Sequence, residues 1–367
     1  MRGAIRVIAR AMELLQYRAG KKALEILRTR GLSPNELQAL LLPAIGPKWL
    51  VLAGFDRALL REGWFDALPG RLLLFGASVG AWRALALAAR EPERAHAALL
   101  EAYCSQRFSE DDSPSAISDA YRRLLRDVFS DSDLANAAHH PKLDLAIATA
   151  RARGPLAFNG HFAQAAALGS AAVLNSLSPR AQRLFYQRVV FVTGPEGQAP
   201  YPMLRAAGGI RTRLTARNMR EVALASGTVP LYMKLVRGIP DAPSGAYLDG
   251  GFSDYHLNRS ADAGEGLSIL FLHQSRIIPS WLDKFVPWRH AGPKALSRLL
   301  LVHPSDAFVR SLPGSAVPTR DDFKRFVREP EARIARWRAV AAQSGELASS
   351  FLRDVTSGAI AGRARAL

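Results

Sequence analysis

Hydrophobic positions in this chain fall into two patterns. Short, largely apolar runs occupy residues 40–42, 72–75, 143–150, 189–193, 267–272 and 299–302. Runs this short, rich in Leu, Val, Ile and Phe, predict strands buried on both faces. Between them, residues 49–60 read as an apolar helix with Asp56, Arg57 and Arg61 on its outer face; 82–90, 92–137, 178–186 and 215–224 read as helical, and 161–176 as a helix or a small-residue hairpin. Residues 246–249 read as the end of a further strand, and 321 to the C-terminus as charged helix. At the N-terminus Ile5, Ile8, Ala9, Met12 and Leu15 share one helical face among basic residues, which predicts amphipathic helix over 1–30 with a break at Gly20. Ser33-Pro34-Asn35-Glu36 reads as a capping box opening a short helix. Strands alternating with helices predict an α/β fold with a mainly parallel sheet. The simplest division is a basic helical extension over 1–37, one α/β domain over 38–310 and a helical extension over 311–367.

Composition narrows the possibilities. The chain has 367 residues and a formal net charge of +17. Such a field draws anionic partners, either nucleic acid or an anionic lipid surface. No Lys/Arg block dominates and no nucleic-acid module is present, so no nucleic acid is expected and a membrane surface fits better. The single cysteine, Cys104, excludes an internal disulfide. No apolar run approaches the length of a membrane span, and Arg2, Arg6 and Arg10 interrupt any signal-peptide block. The expected location is the cytoplasm, with peripheral attachment to the inner face of the membrane.

Chemistry concentrates in Gly76-Ala77-Ser78-Val79-Gly80, which follows the apolar run 72–75 and precedes an alanine-rich helical segment. Strand, sharp turn and helix in that order predict a nucleophile elbow, with Ser78 exposed at the turn and a helix N-terminus behind it. A serine hydroxyl needs an adjacent base and donors for the developing oxyanion. The candidate base is Asp249, delivered by an apolar strand and followed by Gly250 and Gly251.

This pair of motifs resembles the patatin-like phospholipase family. Ala225-Ser226-Gly227-Thr228-Val229-Pro230 is similar to that family's segment shortly before the aspartate, and Gly251-Phe252-Ser253-Asp254-Tyr255-His256 resembles its continuation. Residues 38–90 match its opening strand, turn, helix and elbow, so the resemblance covers roughly 38–258. It implies a three-layer α/β sandwich and a Ser78–Asp249 dyad cleaving esters of phospholipids or other lipids through an acyl-enzyme, with no cofactor. The oxyanion turn departs from the family pattern. Where members carry consecutive glycines and then a basic residue, this chain has Ala44-Ile45-Gly46-Pro47-Lys48. Lys48 keeps the basic position, but Pro47 has no N–H to donate. The donors would be the amides of Gly46, Ile45 and Val79.

Two alternatives stand beside the dyad. In an ordinary α/β-hydrolase a histidine follows the acid, and His256, His273, His290 and His303 all follow Asp249. His273 and His303, each just beyond a core strand, would complete a Ser-Asp-His triad. A patatin-like fold retained as a non-catalytic lipid-surface or scaffold protein is the other. His139-His140 lacks ligand-spaced partners, so no metal is assigned. His161 reads as a loop residue, and Gly208-Gly209 is too sparse for a phosphate loop. Finally, Trp281, Phe285 and Trp288 lie at helical spacing beside Lys284 and Arg289, which suits either a lipid interface or core packing.

Overall fold

The apolar runs all become strands of one sheet. The computed structural model describes residues 13–158, 160–194, 209–258 and 265–367. The helix expected from Ile5, Ile8, Ala9 and Met12, and the Gly208 position, lie outside the described residues. The strands are β1 (Leu15–Ala19), β2 (Leu37–Leu42), β3 (Leu72–Ala77), β4 (Leu143–Ala152), β5 (Tyr186–Val192), β6 (Ile210–Arg213), β7 (Val236–Arg237), β8 (Ala246–Asp249), β9 (Leu267–Phe271), β10 (Leu299–Pro304) and β11 (Arg365–Ala366).

They form a mixed 11-stranded sheet with main order β11-β1-β10-β9-β2-β3-β4-β5-β6, to which β7 and β8 attach beside β4. The central block β10-β9-β2-β3-β4 is parallel throughout, as the strand–helix alternation predicts. Antiparallel pairing enters where β1 meets β10 and where β5 and β8 meet β4. Every residue of β3, β9 and β10 is buried, which explains why these strands read as largely apolar runs rather than alternating ones.

Several elements differ from the sequence expectation. Residues 15–19 are a strand, not helix: Leu15, Tyr17 and Ala19 point into the core while Gln16 and Arg18 point out. A period of two fits these residues as well as a helical period, and pairing with β10 decides between them. The helix of this region is Lys21–Thr29. The Ser33 segment makes only a 3₁₀ turn, Pro34–Glu36, without a side-chain cap. The segment 49–60 divides into a 3₁₀ helix, Gly46–Leu52, and an α-helix, Ala53–Arg61. Asp56, expected on the outer face of that helix, is fully buried. Residues 178–186 hold a 3₁₀ turn and one α-turn before Tyr186 opens β5.

Both flanking segments are built into the body of the molecule. β1 and β11 extend the sheet, and the long helix Pro330–Thr356 packs on the helix Ala53–Arg61, with Trp337 and Phe351 in the main core. Ser344 Oγ accepts the Gly54 N–H at 2.8 Å. A second, smaller apolar cluster lies around the ends of β4 and β8, under the helix His161–Leu177.

Candidate active site

The site arises from two strands that meet head to head. β3 runs parallel to β4 and ends with Ala77 opposite Ala148. β8 runs antiparallel to β4 and ends with Asp249 opposite Thr149. The next position on β4 thus carries the end of a strand arriving from the opposite direction. Two residues far apart along the chain are brought to one point by register alone.

Ser78, just past the end of β3, has φ 56° and ψ −130°, a conformation costing a non-glycine residue about 1–3 kcal/mol. The surroundings hold it there. The Ser78 N–H donates to Ser226 Oγ at 2.8 Å, and Ser226 Oγ–H donates to the Ala148 carbonyl at 2.7 Å. The strained turn aims the side chain at Asp249: Ser78 Oγ–H donates to Asp249 Oδ2 at 2.7 Å. The other carboxylate oxygen, Oδ1, accepts the Gly251 N–H at 2.7 Å. The Asp249 N–H donates to the Thr228 carbonyl, so the Ala225–Pro230 segment clamps both members of the pair.

The glycines of the motifs mark close approaches. A Cβ on Gly80 would run into the Leu42 carbonyl, and one on Gly250 into the Ala148 carbonyl. The helix Val79–Leu87 therefore sits against the end of β2, and the Gly250 turn against β4. Gly76 meets the backbone of Ala81, and Gly251 the Ala44 side chain, each within 2.7 Å of such a Cβ. The turn after β2 thus lies between the N-terminus of the helix Val79–Leu87 and the Asp249 loop. Gly46 has φ +53° there and opens the 3₁₀ helix Gly46–Leu52; Val79 opens its α-helix, so its N–H lies outside the helical ladder. Ile45 is not a donor: its N–H is committed to the Pro43 carbonyl at 3.0 Å. Of the three expected oxyanion amides, Gly46 and Val79 are left.

Burial pushes the Asp249 carboxyl above the ordinary carboxylate range, while Arg320, the bonds from Ser78 and Gly251, and Lys284 pull it down without cancelling the rise. Arg320 Nη2 stands 3.9 Å from Asp249 Oδ2 and its side chain lies against Gly46. Lys284 Nζ lies 4.1 Å from the Tyr255 ring centroid, and burial with the charges of Lys48 and Arg320 lowers it to about 7. Burial and Arg320 also lower Lys48. Arg320 and Lys284 thus act on the Asp249 carboxylate, and Lys48 is coupled to both of these cations. Lys48 was legible as a site residue. Arg320 was not, because it arrives from the segment read as a C-terminal extension and no motif marks it. Ser226 lay within the segment resembling the family, but its bond to Ser78 N–H has no sequence signal.

The histidines stand elsewhere. His256 Nδ1 accepts the Ile278 N–H at 3.0 Å, and His256 and His273 are buried ring to edge at 6.2 Å. His303 Nδ1 is 3.0 Å from the Pro304 carbonyl, on β10. His290 is exposed, and His161 opens the helix His161–Leu177. Both Asp249 oxygens are engaged without an imidazole, and the direct Ser78–Asp249 bond leaves no place for one between them.

Comparison of the chain with protein-family models gives no match, and comparison with curated proteins gives no significant match.

Proposed function

We propose that this chain is a serine acyl hydrolase of patatin-like fold that cleaves ester bonds of phospholipids or similar lipids through a Ser78–Asp249 dyad. The observation that carries the reading is the 2.7 Å bond from a strained serine hydroxyl to a buried carboxylate whose proton affinity is raised. A base acts best with a pKa near the working pH, and burial moves Asp249 in that direction.

In the reaction, Ser78 Oγ attacks the ester carbonyl carbon while its proton passes to Asp249 Oδ2. The tetrahedral oxyanion takes hydrogen bonds from the Val79 and Gly46 amides, beside the positive charge of Lys48 and Arg320. As the intermediate collapses, the carbon–oxygen bond to the leaving alcohol breaks and Asp249 returns the proton to that alcohol. Water then gives a proton to Asp249 and attacks the acyl-Ser78 ester. The acid leaves, and the proton returns to Ser78 Oγ.

One feature favours a second reading. Pro47 removes a donor from the oxyanion turn, and one lost donor costs about 2.7–4 kcal/mol of transition-state stabilisation. A chain keeping the dyad as a scaffold would carry the same substitution. Turnover of a short-chain acyl chromogen separates the two. The hydrolase reading expects activity in the wild type and a fall of at least ~10³-fold in both Ser78→Ala and Asp249→Asn, with unchanged circular dichroism. A wild type as inert as the variants would leave the scaffold.

A further inference from the structure

The large exposed hydrophobic side chains of this molecule are not scattered. Of the nine among the described residues, eight fall in segments 158–184, 232 and 285–288. The helix His161–Leu177 is the centre of this surface. It turns small or polar residues inward, burying Gln164, Ala167, Ala171 and Asn175. It turns its large ones outward: Phe162 is 86% exposed and Leu177 79%. Leu184 and Trp288 stand exposed on the elements beside it.

These segments are locked together as one surface. The helix packs against the turn Trp281–Phe285. Asn175 Nδ2 donates to Asp283 Oδ1 at 2.9 Å, and Arg289 Nη1 donates to the same oxygen at 2.7 Å. A polar network so committed fixes the face that carries Leu177, Phe285 and Trp288. Monomers seldom leave a contiguous apolar patch of this kind without a partner for it.

Charge selects the partner. Residues 145–195 contain five arginines and no Asp or Glu. Residues 266–305 contain five Lys or Arg and a single acid, Asp283, which is buried against Arg289. Arg153, Arg180 and Arg183 are exposed in or beside the short helical segments that pack on the helix His161–Leu177. A large apolar face flanked by cations, in segments without an exposed carboxylate, complements an anionic bilayer, with side chains in the acyl region and cations at the headgroups. No helix among the described residues is long and apolar enough to cross a membrane, so attachment would be in the plane of the interface. The face also leads to the site: Phe285 packs on Trp281 at 5.6 Å and Trp281 on Phe252 at 5.1 Å, three residues past Asp249.

We infer that the outward face of the helix His161–Leu177, with Leu184, Phe285 and Trp288, is the surface by which this protein docks on anionic membranes. That this delivers substrate to Ser78 rests on the hydrolase reading; the docking itself does not.

The test is flotation of the full chain with vesicles of phosphatidylcholine alone or mixed with phosphatidylglycerol. The wild type is expected to float with the mixed vesicles, less so as salt rises, and weakly with phosphatidylcholine. The exposed-site triple variant Phe162→Ser, Leu177→Ser and Trp288→Ser is expected to lose partitioning by on the order of tenfold or more, with its melting temperature unchanged. Equal flotation of wild type and variant, or none by the wild type, overturns the proposal. So does a wild-type dimer that the triple variant abolishes, since a second copy would then cover the face. Flotation needs no turnover: binding without hydrolysis sinks only the hydrolase reading, and short-chain hydrolysis without binding sinks only the docking face.

Discussion

Asp56 and Asp249 are both buried carboxylates, and they end at opposite extremes. Asp56 is fully enclosed, with Arg83 Nε on one oxygen and Nη2 on the other, both at 2.7 Å, and His96 3.4 Å away. Burial alone would push its pKa up, but Arg83 and His96 outweigh that and hold it at about 2. Asp249 meets the same penalty with a hydroxyl, one amide and a half-exposed guanidinium 3.9 Å away, and its pKa stays raised. A desolvated carboxylate with a bidentate cation is held ionised; one whose close donors are a hydroxyl and an amide keeps a raised proton affinity, which the proposed role of base requires. What separates them is the distance and burial of the nearest arginine.

Breaking the anchor should have the largest effect on stability. Asp56→Ala leaves the Arg83 guanidinium buried without a counter-charge, and a loss of about 3–5 kcal/mol is expected from urea unfolding midpoints. In the wild type the stabilisation from this group is complete above its ordinary pKa of 3.8 and is lost only as pH falls through about 2. A midpoint that drops between pH 7 and 5 in the wild type, but not in the variant, would contradict that assignment.

Next in size is the support behind Ser78. Ser226→Ala strands the Ser78 N–H and the Ala148 carbonyl. A cost of about 1–3 kcal/mol is expected, with a fall in kcat exceeding any change in KM, because the strained turn loses its tether. An unchanged kcat would show that Ser78 keeps its aim without Ser226.

The smallest effects sharpen the contrast most. Because the folded-state pKa of Asp249 is raised, its ionised form is disfavoured in the fold, and its stabilising contribution fades as pH rises through that value. Asp249→Asn should therefore be more stable than wild type at pH 7 and lose that advantage in acid, as read by melting temperature. Ester turnover should fall in acid with a midpoint above the usual carboxylate range. Arg320→Gln, which removes a charge that lowers this pKa, should move that midpoint further up. A midpoint insensitive to Arg320 would assign the acid limb to another group.

Much of this was legible before any coordinates. The strands β2, β3, β4, β5, β9 and β10 were visible as apolar runs because parallel neighbours and covering helices bury both faces. The elbow was visible because Gly76 and Gly80 permit contacts that a Cβ would forbid. The misreadings share a cause. Leu15, Tyr17 and Ala19 fit two periods, and Asp56 looks like a surface charge until Arg83 comes across from the neighbouring helix. The segment 161–176 reads in sequence as helix or small-residue hairpin; it is the helix His161–Leu177, and its inverted faces have no sequence signal. Sequence hydrophobicity does not say which face a neighbour covers, and here alanines pack inward while Phe162 and Leu177 stay outside.

By itself, then, the chain's sequence determined the alternating α/β order, the strained serine turn, and the Asp-Gly-Gly at a strand end. These depend on local sterics and on apolar residues seeking burial, which neighbouring residues already specify. Tertiary structure alone decided that β3 and β8 meet end to end along β4, that Arg320 reaches Asp249 from the far end of the chain, and that an apolar helix face stays exposed. Register between strands and the distances between charges depend on how remote segments pack, and no local pattern carries that information.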